Sequence, residues 1–136
     1  MMDPQTVQSA FDAVAAEYVK HLELRVVAVR PGEIDLTMAI APALVHGGGV
    51  LCGQAVMAAV DTAMVMAMIA DIGEFRPMTT VQLQTSFLRP VPKGTAEVGL
   101  TAKVLRRGKS LAFGEISVTT PDGKLAAQAT TTYAML

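Results

Sequence analysis

The sequence predicts an α+β fold: an antiparallel sheet of about six strands wrapped around a central apolar helix, with a second helix at the N-terminus. Three observations carry this expectation. Gln54–Ala70 reads Q-A-V-M-A-A-V-D-T-A-M-V-M-A-M-I-A, rich in Ala and Met with no breaker, a composition that favours helix. Being apolar on every side, that helix should be buried. The segments around it alternate apolar and polar residues at the period of half-buried strands. The connections after it are short, which requires antiparallel pairing.

Each element follows from local chemistry. Asp3-Pro4 is a helix start, with Asp as cap and Pro in the first turn. Val7, Phe11, Val14, Ala15 and Tyr18 then keep helical spacing to about Lys20. Residues 21–30 and 33–40 read as two strands around Pro31-Gly32, and in the second Ile34, Leu36, Met38 and Ile40 alternate with Glu33, Asp35 and Thr37. Residues 41–53 form a Gly-rich loop. The central helix follows and should end near Gly73, a residue suited to a C-cap. Four strands in meander complete the chain, at 79–88, 95–105, 110–120 and 125–135. The first of them should present Val81, Leu83, Thr85 and Phe87 on one face and Thr80, Gln82, Gln84 and Ser86 on the other. Pro90, Pro92 and Gly94, then Arg106-Arg107-Gly108-Lys109, then Pro121-Asp122-Gly123-Lys124 mark the turns, the last a strong hairpin signal.

Composition narrows the partners. The 136 residues read as one domain, residues 1–136, large enough for a real core. Hydrophobic residues make up 51% but aromatics only 4%, so Val, Leu, Ile, Ala and nine Met must build that core. A net charge of −1 does not favour nucleic acid. The single Cys52 excludes an internal disulfide and fits a reducing compartment. No signal peptide is evident, and residues 54–70 fall short of the ~20 apolar residues a membrane span needs. A soluble cytoplasmic protein is expected.

Asp61 is the most informative residue. It is the one ionisable group of the apolar helix, and burying an unpaired carboxylate costs several kcal/mol. Such a group is a candidate for reactive use. Other readings are weaker. His46-Gly47-Gly48-Gly49 is like an esterase oxyanion loop, but the G-x-S-x-G elbow that must accompany it is absent. Cys52 near His46 can suggest a thiolate nucleophile, although a lone Cys is more often a small core residue. His21 and His46 are the only histidines and do not make a metal set, so neither a metal nor a cofactor is expected. The cations at Arg106, Arg107 and Lys109, and with less weight Lys93, would suit a phosphate-bearing ligand.

Gly53 opens the central helix, where unpaired N–H groups and the helix dipole can stabilise an oxyanion. Asp61 lies eight residues later, ~12 Å along the axis, too far to act on the same carbonyl from one helix. Two copies with antiparallel helices would set Gly53 of one opposite Asp61 of the other. A second copy would also close the open side of the curled sheet.

Val60-Asp61-Thr62-Ala63-Met64, the strand from Thr79 to Pro90, and Arg106-Arg107-Gly108-Lys109 leading into Leu111-Ala112-Phe113-Gly114-Glu115 together resemble hotdog-fold acyl-CoA thioesterases of the phenylacetate-degradation type. The resemblance spans roughly residues 20–136. It implies a hotdog fold, a dimer or dimer of dimers, and hydrolysis of an acyl-CoA without a cofactor. Asp61 would be nucleophile or general base and Gly53 N–H the oxyanion donor. The family's His-Gly-Gly stands about nine residues before the Asp, where this chain has Cys52-Gly53-Gln54; the literal His46-Gly47-Gly48 lies fifteen before it. Cys52 thus replaces the family histidine and Gln54 the second glycine. His46 falls near a substrate-positioning Asn of relatives, and Thr80 near a hydroxyl that assists the attacking water. Met57 and Met64 are expected to line a permissive acyl pocket. Arg106, Arg107 and Lys109, with Arg89 as a weaker candidate, would face the CoA phosphates. A non-catalytic acyl-CoA-binding module, a hotdog hydratase or dehydratase, and a ligand-free structural dimer are the alternatives.

Overall fold

A computed structural model describes residues 1–136. Its elements are α1 (Pro4–Asp12), α2 (Glu17–Lys20), β1 (Arg25–Arg30), β2 (Glu33–Ala39), a 3-10 turn at Pro42–Leu44, α3 (Gly53–Ile72), β3 (Met78–Phe87), β4 (Glu97–Arg107), β5 (Leu111–Thr119) and β6 (Leu125–Met135). The six strands form one antiparallel sheet in the order β1-β2-β4-β5-β6-β3, curled around α3 in the hotdog arrangement.

α3 is the core. Val60, Ala63, Met64, Met66, Met68 and Ile69 are fully buried, and Ile34, Leu36, Leu100, Ala102, Ile116 and Ala129 meet the helix from the sheet. The helix is long and apolar enough to cross a bilayer, but 61% of its apolar window is buried within the fold. Gly73 ends it at φ 94°, a left-handed cap that glycine adopts without strain, and its N–H bonds Ile69 O at 2.8 Å. Close approach of helix and sheet depends on Gly114: a Cβ there would lie 2.4 Å from Met64 Sδ.

Three sequence expectations are corrected. The N-terminal helix does not run to Lys20. Asp12 sits unfavourably at the negative end of the α1 dipole, whereas Glu17 at the start and Lys20 at the end favour a separate short α2. The chain therefore breaks at 13–16. Its position on the sheet is pinned by buried Gln8, whose Nε2 donates to Leu24 O at 3.1 Å while its Oε1 accepts from Val26 N–H at 2.9 Å.

The last four strands are not one meander. β4, β5 and β6 are, through the Pro121–Lys124 hairpin, but β3 leaves α3 to pair with β6 at the far edge. The segment from Leu88 to Ala96 then crosses the end of the sheet, its entry held by Leu88 and Arg89 N–H on Ala126 O. Pro90 and Pro92 lack an N–H, and the segment pairs with the Gly-rich loop only through an isolated bridge, Val50 opposite Pro92.

Finally, the strict alternation expected for β3 is broken by a bulge between Thr80 and Gln82. Leu83, Thr85 and Phe87 share one face as expected, opposite Thr131, Ala129 and Ala127, but Val81, unpaired at the bulge, is exposed and does not join them. Thr80 instead pairs with Tyr133 and turns inward. A bulge re-aims side chains in this way.

Candidate active site

Asp61 projects from the middle of α3 towards the β3–β6 end of the sheet and is half-buried. Two hydroxyls converge on its Oδ1. Thr80 Oγ1 donates at 2.9 Å, and the Tyr133 hydroxyl makes a short bond to the same oxygen. The Tyr133 hydroxyl also lies 2.9 Å from the backbone carbonyl of Asp61. Oδ2 has no hydrogen-bond partner within the chain. Burial, reinforced by the bond to Asp61, pushes the Tyr133 phenol well above its ordinary value, against a smaller opposing contribution from Thr80. The phenol therefore stays protonated and a donor across the neutral range.

The carboxylate opens on a cleft of about 220 Å³, bounded by Phe11, Val14 and Val19 of the N-terminal segment, Val65 of α3, and Phe75 and Met78 beyond it. A second cleft, about 340 Å³, lies at the other end of α3, where Gly53 meets Val50, Phe87 and Val91. The first intrahelical bond of α3 runs from Val56 N–H to Cys52 O at 3.3 Å. The Gly53 N–H thus has no acceptor in its helix. A Cβ at Gly53 would touch the Phe87 ring at 3.4–3.5 Å, so that ring closes one side of the helix start.

The remaining residues singled out in the sequence lie in several places. Thr80 is brought to Asp61. Cys52 is the N-cap residue of α3 and contributes no side-chain cap bond, and Gln54 is exposed. His46 is exposed and bonded within its own loop, its Nδ1 accepting from Gly48 N–H at 2.8 Å. Met57 is partly exposed, whereas Met64 is fully buried beneath Gly114 rather than against either cleft. Arg89 borders the Gly53 cleft and donates to Leu125 O at 3.1 Å. Arg107 pairs with Asp71 at 2.7 Å, at the C-terminal end of α3, while Arg106 and Lys109 project into solvent.

Sequence reasoning missed Tyr133 and the N-terminal wall of the cleft. A signal for Tyr133 existed: Ala127, Ala129, Thr131 and Tyr133 alternate on one face, and a buried Tyr requires a hydroxyl partner. Asp61, the one carboxylate inside the apolar helix, is the partner it finds.

A half-buried carboxylate oriented by two hydroxyls beside an apolar cleft suits attack on a carbonyl carrying an apolar substituent. A free N–H at a helix start suits an oxyanion. Comparison with known proteins agrees with hydrolytic chemistry. The model of a family described as the Thioesterase superfamily matches residues 45–127. A Saccharolobus solfataricus protein named "Putative esterase" is 29% identical over 129 residues, covering 95% of this chain and 90% of its own length. Among solved structures, a Haemophilus influenzae thioesterase superposes with a TM-score of 0.85 at 21% identity, covering 100% of this chain and 95% of that one. The E. coli PaaI protein from the phenylacetic acid degradation operon gives 0.82 at 18% identity, covering 99% and 96%.

Proposed function

The chain belongs to the thioesterase superfamily, and from that premise we propose that it hydrolyses acyl-CoA thioesters to the free acid and coenzyme A, as a homodimer whose active sites are shared between subunits. Ester or thioester hydrolysis in general is what the family match and the esterase-named relative support. The observation that carries the sharper reading is Asp61, held by Thr80 and Tyr133 at the mouth of an apolar cleft. The sequence resemblance to the phenylacetate-degradation type and the size of the cleft beside Asp61 favour an aromatic acyl group.

The dimer is argued from β3. This ten-residue edge strand, M-T-T-V-Q-L-Q-T-S-F, contains neither charge nor Pro, and Val81 and Phe87 are more than half exposed. Natural edges are normally blunted by such residues, and one left bare is a template for pairing. Antiparallel pairing of two β3 strands about a two-fold axis joins the sheets and sets the two α3 helices antiparallel. Gly53 of one subunit then serves the carbonyl that Asp61 of the other attacks, which no single α3 can arrange over ~12 Å.

As general base, Asp61 takes a proton from water as the oxygen adds to the carbonyl carbon. The C–S bond then breaks and coenzyme A leaves as a thiolate that takes up the proton. As nucleophile, the carboxylate itself adds and expels the thiolate, leaving a mixed anhydride that water cleaves. Both routes pass through an oxyanion for the Gly53 N–H. Arg106 and Lys109, free of ion pairs, and Arg89 beside the Gly53 cleft are the cations available to the CoA phosphates.

The test is free-thiol release from acetyl-, hexanoyl-, phenylacetyl- and palmitoyl-CoA by wild type and Asp61→Asn. Turnover that falls about 10²–10⁴-fold in the variant, the range of acid–base catalysis, supports the proposal. Binding of CoA esters without turnover by wild type would instead make the protein a binding module. Equal activity in the two proteins would remove Asp61 from the mechanism.

A further inference from the structure

We infer that Tyr133 is a positioning residue for this reaction, fixing Asp61 through Oδ1 so that Oδ2 is the oxygen that meets water or the thioester carbonyl. The inference rests on the role proposed for Asp61 and adds a residue and an atom to it.

The two oxygens of Asp61 are not equivalent. Oδ1 receives both hydroxyls, and Oδ2 receives none. Thr80 and Tyr133 are direct partners across β3 and β6, so one rung of the ladder presents both donors to the helix at the same height. The bulge after Thr80 is what turns that rung inward. Two bonds to one oxygen hold the carboxyl plane, and Oδ2 is left for chemistry beside the cleft.

Tyr133 is the stiffer of the two. It is 2% exposed, and its ring is held between sheet and helix. Its single proton has two acceptors within reach, the carboxylate and the Asp61 carbonyl at 2.9 Å. With Asp61 ionised, the charge draws the proton to Oδ1, because charge-assisted bonds are the stronger. With Asp61 protonated, the hydroxyl can turn to the carbonyl and remain satisfied. A base that must accept and release a proton each turn is thereby held in one place in both states. Because β3 is also the edge proposed to pair with a second copy, the clamp ties the orientation of Asp61 to assembly.

The test compares Tyr133→Phe with wild type in kcat and KM on one acyl-CoA. Loss of a hydrogen bond to a charged group predicts a kcat about 10- to 150-fold lower, with KM within about threefold. Replacement of Tyr133 by 2,3-difluorotyrosine keeps the ring and strengthens the donor, and should keep kcat close to the wild-type value. This second variant retains the packing if Tyr133→Phe proves unstable. A wild-type kcat for Tyr133→Phe, or an equal loss of kcat in both variants, would reduce Tyr133 to a packing residue. If Asp61→Asn keeps full activity, the reading of Asp61 fails; if it is inactive while the Tyr133 variants behave as wild type, only this inference fails.

Discussion

Filling the cleft beside Asp61 should change which acyl groups are hydrolysed without abolishing hydrolysis. The cleft holds about 220 Å³ between Val65 on α3 and Val14 and Val19 on the N-terminal segment. An engineered apolar cavity of about 150 Å³ accommodates benzene, so a phenyl ring with a linking methylene fits and a long alkyl chain does not. An aromatic group buries about 150–250 Å² at about 25 cal/mol per Å², or about 4–6 kcal/mol as an upper bound. Only part of that gain survives the cost of ordering the substrate. Val65→Phe puts a protein ring into the space one helical turn from Asp61, and Ala15→Phe does so from the opposite wall. Each should lower kcat/KM for phenylacetyl-CoA about 10- to 100-fold and leave acetyl-CoA within about threefold. The assay is thiol release on the two substrates in parallel, with thermal unfolding to check folding. An equal fall on both substrates, or none on either, would refute the placement of the acyl group in this cleft.

Three further outcomes follow from the fold. Gly114→Ala places a Cβ 2.4 Å from Met64 Sδ and 2.9 Å from the immovable Lys103 carbonyl; overpacking of about 1–3 kcal/mol should lower Tm by about 3–11 °C, and an unchanged Tm would contradict the packing. Val81→Lys charges the bare edge of β3 and should yield monomers by sedimentation together with loss of activity, whereas an intact active dimer would exclude β3 as the interface. Asp35 is held below its ordinary pKa of 3.8 chiefly by hydrogen bonds from Arg30, against desolvation, with further help from Thr101. A depressed folded-state pKa contributes stability above the unfolded value and loses it as pH falls through the folded one. Arg30→Gln should therefore lower Tm at pH 7, and the difference should shrink as pH falls below 3.8; a constant difference would place the effect elsewhere.

What the sequence revealed was what local chemistry determines. The stretch from Gln54 to Ala70 is helical by composition and buried by its lack of a polar face, and Asp61 stood out because nothing around it is charged. Pro121-Asp122-Gly123-Lys124 folds as a hairpin because its turn chemistry is contained in four residues. What could not be read depends on long-range packing. The position of β3 beside β6 is a tertiary choice, invisible in the short connection to β4. The bulge that turns Thr80 inward breaks a period that the residues themselves keep perfectly. Tyr133 reaches Asp61 from 72 residues away, so no spacing rule could join them. The break at 13–16, which shapes the cleft, is a small preference that Asp12 and Glu17 express only against the sheet.

The proposed sharing of the active site between subunits is tested most directly by complementation. Gly53→Pro removes the proposed oxyanion donor while leaving the helix start intact, because Pro is favoured in the first turn and Cys52 before it is already extended at ψ 148°. Asp61→Asn removes the carboxylate. Each variant alone should be nearly inactive. Mixed one to one from the unfolded state, half of the dimers are mixed, and each carries one site with both residues intact. The predicted result is recovery of about a quarter of the wild-type rate; a mixture as inactive as its parents would contradict a site shared between subunits.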